Sequence, residues 1–386
     1  MATPFEFATA TRILFGAGTV REIPSAAKEM GRRALFVTGI PQEQSAPLIS
    51  QLEATGVTCC SFGVAVEPTL DLVRQGVRRA VEEQCELVIG FGGGSAIDAG
   101  KAIAALLANP GELMEYLEVI GQGKPLHVPS APFIAVPTTA GTGAEVTRNA
   151  VLTAPEHRVK VSLRSPLMLS RLAVVDPELT LDLPPAITAY TGLDALTQVI
   201  EPYVCSRANP MTDGFCVEGV RRASRSLRRA YLHGHDMEAR TDVSLASLLG
   251  GLALANAGLG VVHGFAAPLG GMFPAQHGAV CAALLPHGME INIRALRARA
   301  PESESLRRYE EVARLLTGRP NAAPEDGVEC VRAICKELRI PPLSSYGVRE
   351  ADVPVLVEKA SRASSMKANP IELTANELGE VLTRAL

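Results

Sequence analysis

Two polar residues four positions apart, Asp194 and Gln198 in "GLDALTQVIE", have the spacing of a metal-binding pair. The stretch predicts a helix, and residues four apart share one helical face. A carboxylate with a second donor at this spacing can bind a divalent cation. Gln198 is a weaker donor than histidine, because its amide oxygen is neutral and transition metals prefer imidazole nitrogen. The pattern leaves open a metal site, a weakened metal site and an ordinary helix face.

Two histidines in "VVHGFAAPLGGMFPAQHG" are further candidates for this chemistry. His263 and His277 are fourteen residues apart, which is too far for one helical face. They therefore belong to different elements and can converge with Asp194 only through the tertiary fold. The alternative is that each is an ordinary core or surface histidine.

A glycine-rich turn in "VIGFGGGSAIDAGKAIA" is a candidate phosphate site. It reads as a strand, a turn and a helix, so Gly92, Gly93, Gly94 and Ser95 would present backbone N–H groups at a helix N-terminus. Such a terminus binds anions and suits a pyrophosphate. The alternative is a tight turn with Ser95 as the helix cap.

A second loop, "PTTAGTGAEVT", follows another predicted strand and contains Thr138, Thr139, Thr142 and Gly143. These small polar residues can surround a nucleotide. The alternative is a simple entry into a helix with Thr142 as its cap. If the two strands are neighbours, both loops lie at one edge of the sheet, where α/β folds bind nucleotides.

The elements that would position these residues fall into two patterns. Before about residue 185, buried strands such as "RALFVTG" (33–39) alternate with helices such as 46–56 and a Thr69-capped helix, which predicts an α/β domain with a parallel sheet. After it, helical periodicity dominates. We therefore expect an α/β domain at 1–185 and an all-helical domain at 186–386, joined by the proline-rich "DPELTLDLPP".

Composition narrows the class of protein. The 386 residues are 47% hydrophobic and 20% charged, with a net charge of −4 and no dense basic run, which gives no support to nucleic acid or membrane as a partner. We find no signal peptide and no apolar run that spans a bilayer. The eight cysteines form no CxxC motif, so free thiols in a reducing cytoplasm are expected.

These motifs resemble those of the iron-dependent (group III) alcohol dehydrogenases, which belong to the dehydroquinate-synthase-like fold. The likeness is carried by the two loops, "LDALTQVIE" and "HGFAAPLGGMFPAQHG", and runs from "FGAGTVREIP" to "ANPIELTANEL". It implies a dinucleotide-binding domain, an all-helical domain, NAD(P) in a cleft and a divalent ion that polarises the substrate oxygen. It also implies a homodimer and an alcohol or carbonyl substrate.

The resemblance assigns the metal site residue by residue. Asp194, His263 and His277 match three of the family's four ligands, and the fourth, a histidine, falls on Gln198. A further family histidine falls on Ala267. We therefore expect iron or zinc to be weakly held or absent, in which case His277, His263 or a water carries the proton. Two alternatives of the same fold remain, a metal-independent reductase of the maleylacetate-reductase type and a non-redox lyase, and a third is a binding protein with a decayed site.

The resemblance also extends the cofactor site. It adds Asp98 and Thr147 to the loop residues, and Lys160 in "HRVKVSL" matches a family lysine near the cofactor, with a surface charge as the alternative. Gly39, at the end of the strand 33–39, stands where NAD-preferring relatives carry an aspartate that holds the ribose hydroxyls. Without that carboxylate, NADP should be accepted.

Overall fold

The computed structural model describes residues 4–386, and it contains eight strands and fourteen α-helices in that range. The strands are β1 (Ile13–Phe15), β2 (Arg33–Thr38), β3 (Thr58–Gly63), β4 (Leu87–Gly92), β5 (Phe133–Pro137), β6 (Asn149–Ala154), β7 (Val159–Arg164) and β8 (Leu172–Val175). The first helices are α1 (Ile23–Met30), α2 (Gln42–Ala54), α3 (Leu70–Glu82), α4 (Gly94–Ala108) and α5 (Leu113–Tyr116). The remaining helices are α6 (Pro185–Val204), α7 (Pro210–Leu232), α8 (Met237–Asn256), α9 (Val261–Met272), α10 (His277–Arg299), α11 (Glu304–Thr317), α12 (Pro324–Glu337), α13 (Val353–Ser361) and α14 (Ala375–Ala385).

Six strands form one parallel sheet in the order β1-β8-β5-β4-β2-β3. Every residue of β4 and β5 is buried, because helices cover both faces of a parallel sheet and the strand sequences are apolar throughout. Since all six strands run the same way, their carboxyl ends lie at one edge. The predicted α/β architecture with a parallel sheet is confirmed.

The predicted elements differ from the structure in two ways. The helix expected at 46–56 begins earlier, and α2 spans Gln42–Ala54, whereas the Thr69 cap is present, with its Oγ1 accepting from the Leu72 N–H at 3.2 Å. The antiparallel pair β6–β7 was not predicted. Residues of β6 alternate between half-buried and buried, as expected for a strand with one face on a core.

The chain divides into two compact units. The α/β unit comprises residues 8–139 and 143–181, and the helical unit comprises 4–7, 140–142 and 182–386. Within the helical unit, α6 is buried continuously from Gly192 to Val204. The polar side chains of this helix therefore lie inside the helical core, where they need partners.

Among the described residues, all eight cysteines are free thiols. No single helix in residues 4–386 is long and apolar enough to cross a membrane. Helices α8 and α9 reach that length and apolarity only when taken together, and they are bent by 96° where they meet.

Candidate active site

Three helices of the helical unit bring the predicted metal-site residues together. Asp194 lies in the buried part of α6, His263 in the first turn of α9, and His277 is the first residue of α10. The Oδ1 atom of Asp194 is 3.5 Å from Nε2 of His263 and 3.6 Å from Nε2 of His277. The structure thus places around one point three side chains separated by up to 83 positions in the sequence.

A fourth side chain, Cys281, completes this cluster and was not among the sequence candidates. Its Sγ lies 3.7 Å from Nε2 of His277 and 3.9 Å from Nε2 of His263. One potential ligand atom from each of Asp194, His263, His277 and Cys281 lies within 4.8 Å of all the others. Cys281 follows His277 by four positions on α10, so the two side chains share one face of that helix.

Glu201 fixes the orientation of His263 and was also missed. One of its carboxylate oxygens is 2.7 Å from Nδ1 of His263, and the other accepts from the N–H of Val262 at 2.7 Å. The carboxylate therefore meets the free N–H donors at the start of α9 and also binds the imidazole. Because Nδ1 is engaged by Glu201, Nε2 is the nitrogen directed at Asp194, an arrangement that proteins use behind metal-bound histidines.

Close backbone packing holds His277 against α6. A side chain at Gly278 would bring its Cβ within 2.5 Å of the carbonyl oxygen of Tyr190. Glycine at this position lets the start of α10 approach α6, which places His277 near Asp194. Gly260 serves the same purpose at α9, where a Cβ would lie 2.9 Å from a carboxylate oxygen of Glu201.

The charges in the cluster shift its pKa values toward the ionised forms. Burial raises the pKa of Asp194, but His277, His263 and the Gln198 side chain outweigh burial and the pKa is lowered. Burial lowers the pKa of His263, but Cys281, Asp194 and Glu201 outweigh it and the pKa is raised well above its usual value. The pKa of His277 is raised for similar reasons, through Cys281 and Asp194. Buried anionic partners therefore favour positive charge at this point.

The residues present fit a divalent cation. Asp194 is 1% exposed, and among the described residues its Oδ1 has no hydrogen-bond partner. The histidine nitrogens at 3.5 and 3.6 Å are too distant to satisfy it. A buried, unpaired carboxylate oxygen costs free energy unless a cation or donor meets it. Imidazole, carboxylate and thiolate are the donors that transition metals and zinc prefer.

The two departures from the family pattern lie beside this cluster. Gln198 is 2% exposed, and its Oε1 is likewise without a partner in the described part of the chain. Its side chain donates toward Asp194 and thereby contributes to the low pKa of that carboxyl. Ala267 lies one turn after His263 on α9 and supplies no polar atom there.

The α/β unit contains the predicted glycine turn. Gly93 is the N-cap of α4, which begins at Gly94, so the alternative with Ser95 as the cap is wrong. Gly92 has φ +157°, and a Cβ there would lie 2.8 Å from the Cβ of Ala96. The turn therefore requires glycine. It places the free N–H groups at the N-terminus of a 15-residue helix beside the carboxyl end of β4.

The second loop adjoins this turn because β4 and β5 are neighbours in the sheet. The N–H of Thr138 donates to the carbonyl of Gly92 at 2.9 Å. A Cβ at Gly93 would touch the Thr139 side chain at 3.5 Å, and a Cβ at Gly92 would lie 3.1 Å from the backbone nitrogen of Gly39. Five of the predicted cofactor residues therefore lie at one point of the sheet edge.

Asp98 and Thr147 have structural partners. Asp98 accepts from the N–H of Val151 at 3.1 Å and pairs with Lys101 at 3.4 Å. Lys101, which is 1% exposed, donates to Oγ1 of Thr147 at 2.9 Å and to the carbonyl of Asn149 at 2.5 Å. Burial raises the pKa of Asp98. This buried network attaches the β6–β7 hairpin to α4 and was not predicted.

Thr142 and Lys160 have different surroundings. Thr142 belongs to the segment 140–142, which clusters with the helical unit. The short 3₁₀ turn after it, Ala144–Val146, has Gly143 as its N-cap and no side-chain cap. Lys160 lies on β7, where its side chain is 5% exposed and forms an ion pair with Glu67. It is therefore not the exposed surface charge of the alternative interpretation.

Comparison with known proteins identifies the family. The sequence model of the family described as "Iron-containing alcohol dehydrogenase" matches residues 10–177. The model described as "Fe-containing alcohol dehydrogenase family, C-terminal" matches residues 188–386. Together these matches cover most of the chain, including both sets of site residues.

Individual relatives match over nearly their whole length. Alcohol dehydrogenase 4 of Schizosaccharomyces pombe is 35% identical over 379 residues, which cover 97% of this chain and 87% of that protein. NAD-dependent methanol dehydrogenase of Bacillus methanolicus is 32% identical over 383 residues, 97% of each chain. Among solved structures, 1,3-propanediol oxidoreductase is similar with a TM-score of 0.92 at 31% identity, covering 100% of both chains.

Proposed function

Because the chain belongs to the iron-containing alcohol dehydrogenase family, we propose that it interconverts small primary alcohols and their aldehydes by hydride transfer to and from NAD or NADP. The protein is an oxidoreductase, and NAD-dependent alcohol dehydrogenases are among its relatives. The primary-alcohol class follows the printed activities of relatives that act on methanol and 1,3-propanediol. The observation that carries the proposal is the convergence of Asp194, His263 and His277 around the unpaired Oδ1 atom.

Asp194, His263 and His277 would hold a divalent metal ion in this cluster, with Gln198 or Cys281 beside it. When bound, such an ion acts as a Lewis acid on the alcohol or carbonyl oxygen. With Gln198 as the fourth donor, a neutral amide oxygen stands where the family has an imidazole nitrogen, and iron is held weakly. The weak retention of iron is inferred from the donor atoms, which is the same reasoning that the sequence alone supports.

The two histidines have different roles in this proposal. The side chain of His263 is 6% exposed and its Nδ1 is bound to Glu201. Its role is therefore to hold the metal ion in a fixed orientation. His277 is 32% exposed at its side chain and is the histidine that substrate can reach. We assign proton exchange with the substrate hydroxyl to His277, directly or through a water, for molecules that lack the metal.

The glycine turn and the adjacent loop would bind the cofactor. The N-terminus of α4 at Gly93 and Gly94 suits the pyrophosphate, with Ser95, Thr138 and Thr139 close by. Gly39 adjoins the turn and carries no carboxylate to repel a 2′-phosphate, which supports acceptance of NADP. The side chains of Asp98, Thr147 and Lys160 already have partners within the protein. We therefore propose that these three residues support the cofactor site by holding the β6–β7 hairpin in place, and not by contacting the cofactor themselves.

We also propose that the enzyme functions as a homodimer in a reducing cytoplasm. Eight free cysteines support the reducing compartment, because such a compartment keeps thiols unpaired. The dimer is proposed from the family resemblance, and light scattering after size-exclusion chromatography measures it directly.

The decisive experiment is an assay of reduced nicotinamide formation with a series of primary alcohols, run with NAD and with NADP. We expect turnover that falls by at least about 100-fold in Asp194→Asn, since that change removes the central anion of the cluster. Turnover by neither cofactor, in folded protein that still binds dinucleotide, would favour a binding protein. The family match gives no support to the lyase alternative.

A further inference from the structure

Cys281 lies within the cluster of potential metal ligands, and nothing in the family pattern of one aspartate and three histidines predicts it. Its Sγ atom has polar neighbours: it lies 3.7 Å from Nε2 of His277 and 3.9 Å from Nε2 of His263. Cys281 is itself 0% exposed. Cys281 belongs to the hydrophobic core of the helical unit, but core packing alone does not account for its contacts with two imidazole nitrogens.

We propose that Cys281 is a ligand in the metal site and that it makes the site select zinc over iron. This inference rests on the proposed function, since it concerns the same site. In this arrangement the fourth donor, beside Asp194, His263 and His277, is the thiolate of Cys281 and not the neutral oxygen of Gln198.

The spacing of the four donor atoms supports the proposal. Zinc bonds of about 2.0–2.3 Å in tetrahedral geometry place neighbouring donor atoms about 3.3–3.8 Å apart. The observed separations are 3.5 and 3.6 Å from Asp194 to the two histidines, and 3.7 and 3.9 Å from Cys281 to the same nitrogens. The two Asp194–imidazole pairs are too distant for good hydrogen bonds, whereas the two Cys281–imidazole pairs lie at the long end of the range for hydrogen bonds to sulfur. All four separations lie within about 0.1 Å of the spacing expected for ligands around one ion.

Charge also favours Cys281 over Gln198. A carboxylate with a thiolate and two neutral imidazoles carries a charge of −2, which balances a divalent ion in a buried site. The set with Gln198 carries only −1 and leaves a buried positive charge uncompensated. The expectation of weak retention, drawn from Gln198, therefore applies to iron, which gains less from a soft thiolate than zinc does.

The first experiment uses the whole protein loaded with cobalt(II), which replaces zinc and reports its ligands by absorption. We expect wild-type protein to show a thiolate-to-cobalt charge-transfer band and the intense visible bands of tetrahedral cobalt. Cys281→Ser should lose the charge-transfer band. Cys216→Ser, which alters another fully buried cysteine of the helical unit, should keep it. A cobalt-loaded wild-type protein without the charge-transfer band would overturn the proposal, whether or not any variant folds.

The second experiment measures metal selection. Protein stripped of metal is dialysed against equal concentrations of zinc and iron(II), and bound metal is counted by elemental analysis. We expect zinc in wild type and in Cys216→Ser, and at least a tenfold lower zinc-to-iron ratio in Cys281→Ser. An unchanged ratio in folded Cys281→Ser would overturn the ligand assignment. Alcohol dehydrogenase activity in that same preparation would leave the proposed function standing, so the two failures are distinguishable.

Discussion

Glu201 and His263 form a buried pair in which a carboxylate oxygen lies 2.7 Å from Nδ1 of the imidazole, 62 positions away along the chain. The same carboxylate accepts from the N–H of Val262, so one side chain joins the end of α6 to the start of α9. The pair decides which nitrogen of His263 faces Asp194. Its effect on metal binding can be measured without touching a ligand.

Replacing Glu201 by glutamine should weaken metal binding by roughly 10- to 100-fold, the usual effect of changing the partner behind a metal-bound histidine. The amide keeps the shape of the carboxylate but removes its charge, so His263 becomes a poorer donor. Competition with a chromogenic chelator measures the affinity. Glu311→Gln, which alters another carboxylate bonded to α6 through Tyr203, is the matched control. Equal affinity in Glu201→Gln and wild type would show that the pair only caps α9.

Replacing Gln198 by histidine should raise the amount of iron that survives dialysis against a chelator. The imidazole supplies the nitrogen donor that the amide lacks, and iron(II) prefers imidazole to a neutral amide oxygen. Elemental analysis of variant and wild type, prepared side by side, measures it. Wild-type protein that already retains one iron per chain through the chelator would contradict our account of Gln198. The substitution must fit beside Gly250, where a Cβ would lie 3.0 Å from that of Gln198, so thermal unfolding is recorded with it.

Part of this site was predictable and part was not, for physical reasons. The strand β4 is apolar and is followed by consecutive glycines, and this local pattern is enough to produce the turn. The turn and the helix after it could therefore be predicted from the sequence. The pairing of Glu201 with His263 depends on how two helices pack, which no local pattern determines. Cys281 could have been predicted, because it follows His277 by four positions and so shares its helical face, a relationship that CxxC spacing does not capture. The β6–β7 hairpin was missed although β6 alternates in burial, because its segment lies between two loops.

Replacing Gly93 by alanine should lower dinucleotide affinity by at least about tenfold, or 1.4 kcal/mol, while the fold survives. Gly93 has φ −72° and ψ −175°, which alanine adopts without strain, and the new Cβ would meet only Thr139 at 3.5 Å. The structural cost is therefore small, and the affinity reports how closely the cofactor approaches the backbone. Fluorescence titration with NADH measures it, with Gly214→Ala as the control because a Cβ there meets nothing within 4 Å. Undiminished affinity would show that the turn is only structural.

Replacing Glu145 by glutamine should stabilise the protein above neutral pH. Burial raises the pKa of Glu145 to about 7 from an ordinary 4.5, and Lys101 only partly offsets it. The folded state therefore holds a proton that the unfolded chain has lost, and stability falls as the pH rises from 4.5 to about 7. Relative to wild type, Glu145→Gln should gain roughly 1–3 kcal/mol at pH 8 and little at pH 4.5. Urea unfolding across this range measures it, with the exposed Glu156→Gln as a control that stays flat. A constant difference would mean that Glu145 does not titrate in this window.

NADP should be used with a kcat/KM within about 100-fold of that for NAD, a difference below about 2.7 kcal/mol in transition-state stabilisation. The reason is the absence of a carboxylate at Gly39, which adjoins the glycine turn through Gly92. Adding that carboxylate in Gly39→Asp should shift the ratio toward NAD. The substitution has a steric cost, because a Cβ at Gly39 would lie 2.9 Å from the carbonyl oxygen of Val64. Gly39→Ala carries the same Cβ without the charge and separates the two effects. If both variants change the cofactor ratio equally, crowding against Val64 is responsible and not the carboxylate. A ratio that neither variant changes would show that residue 39 does not face the adenosine ribose.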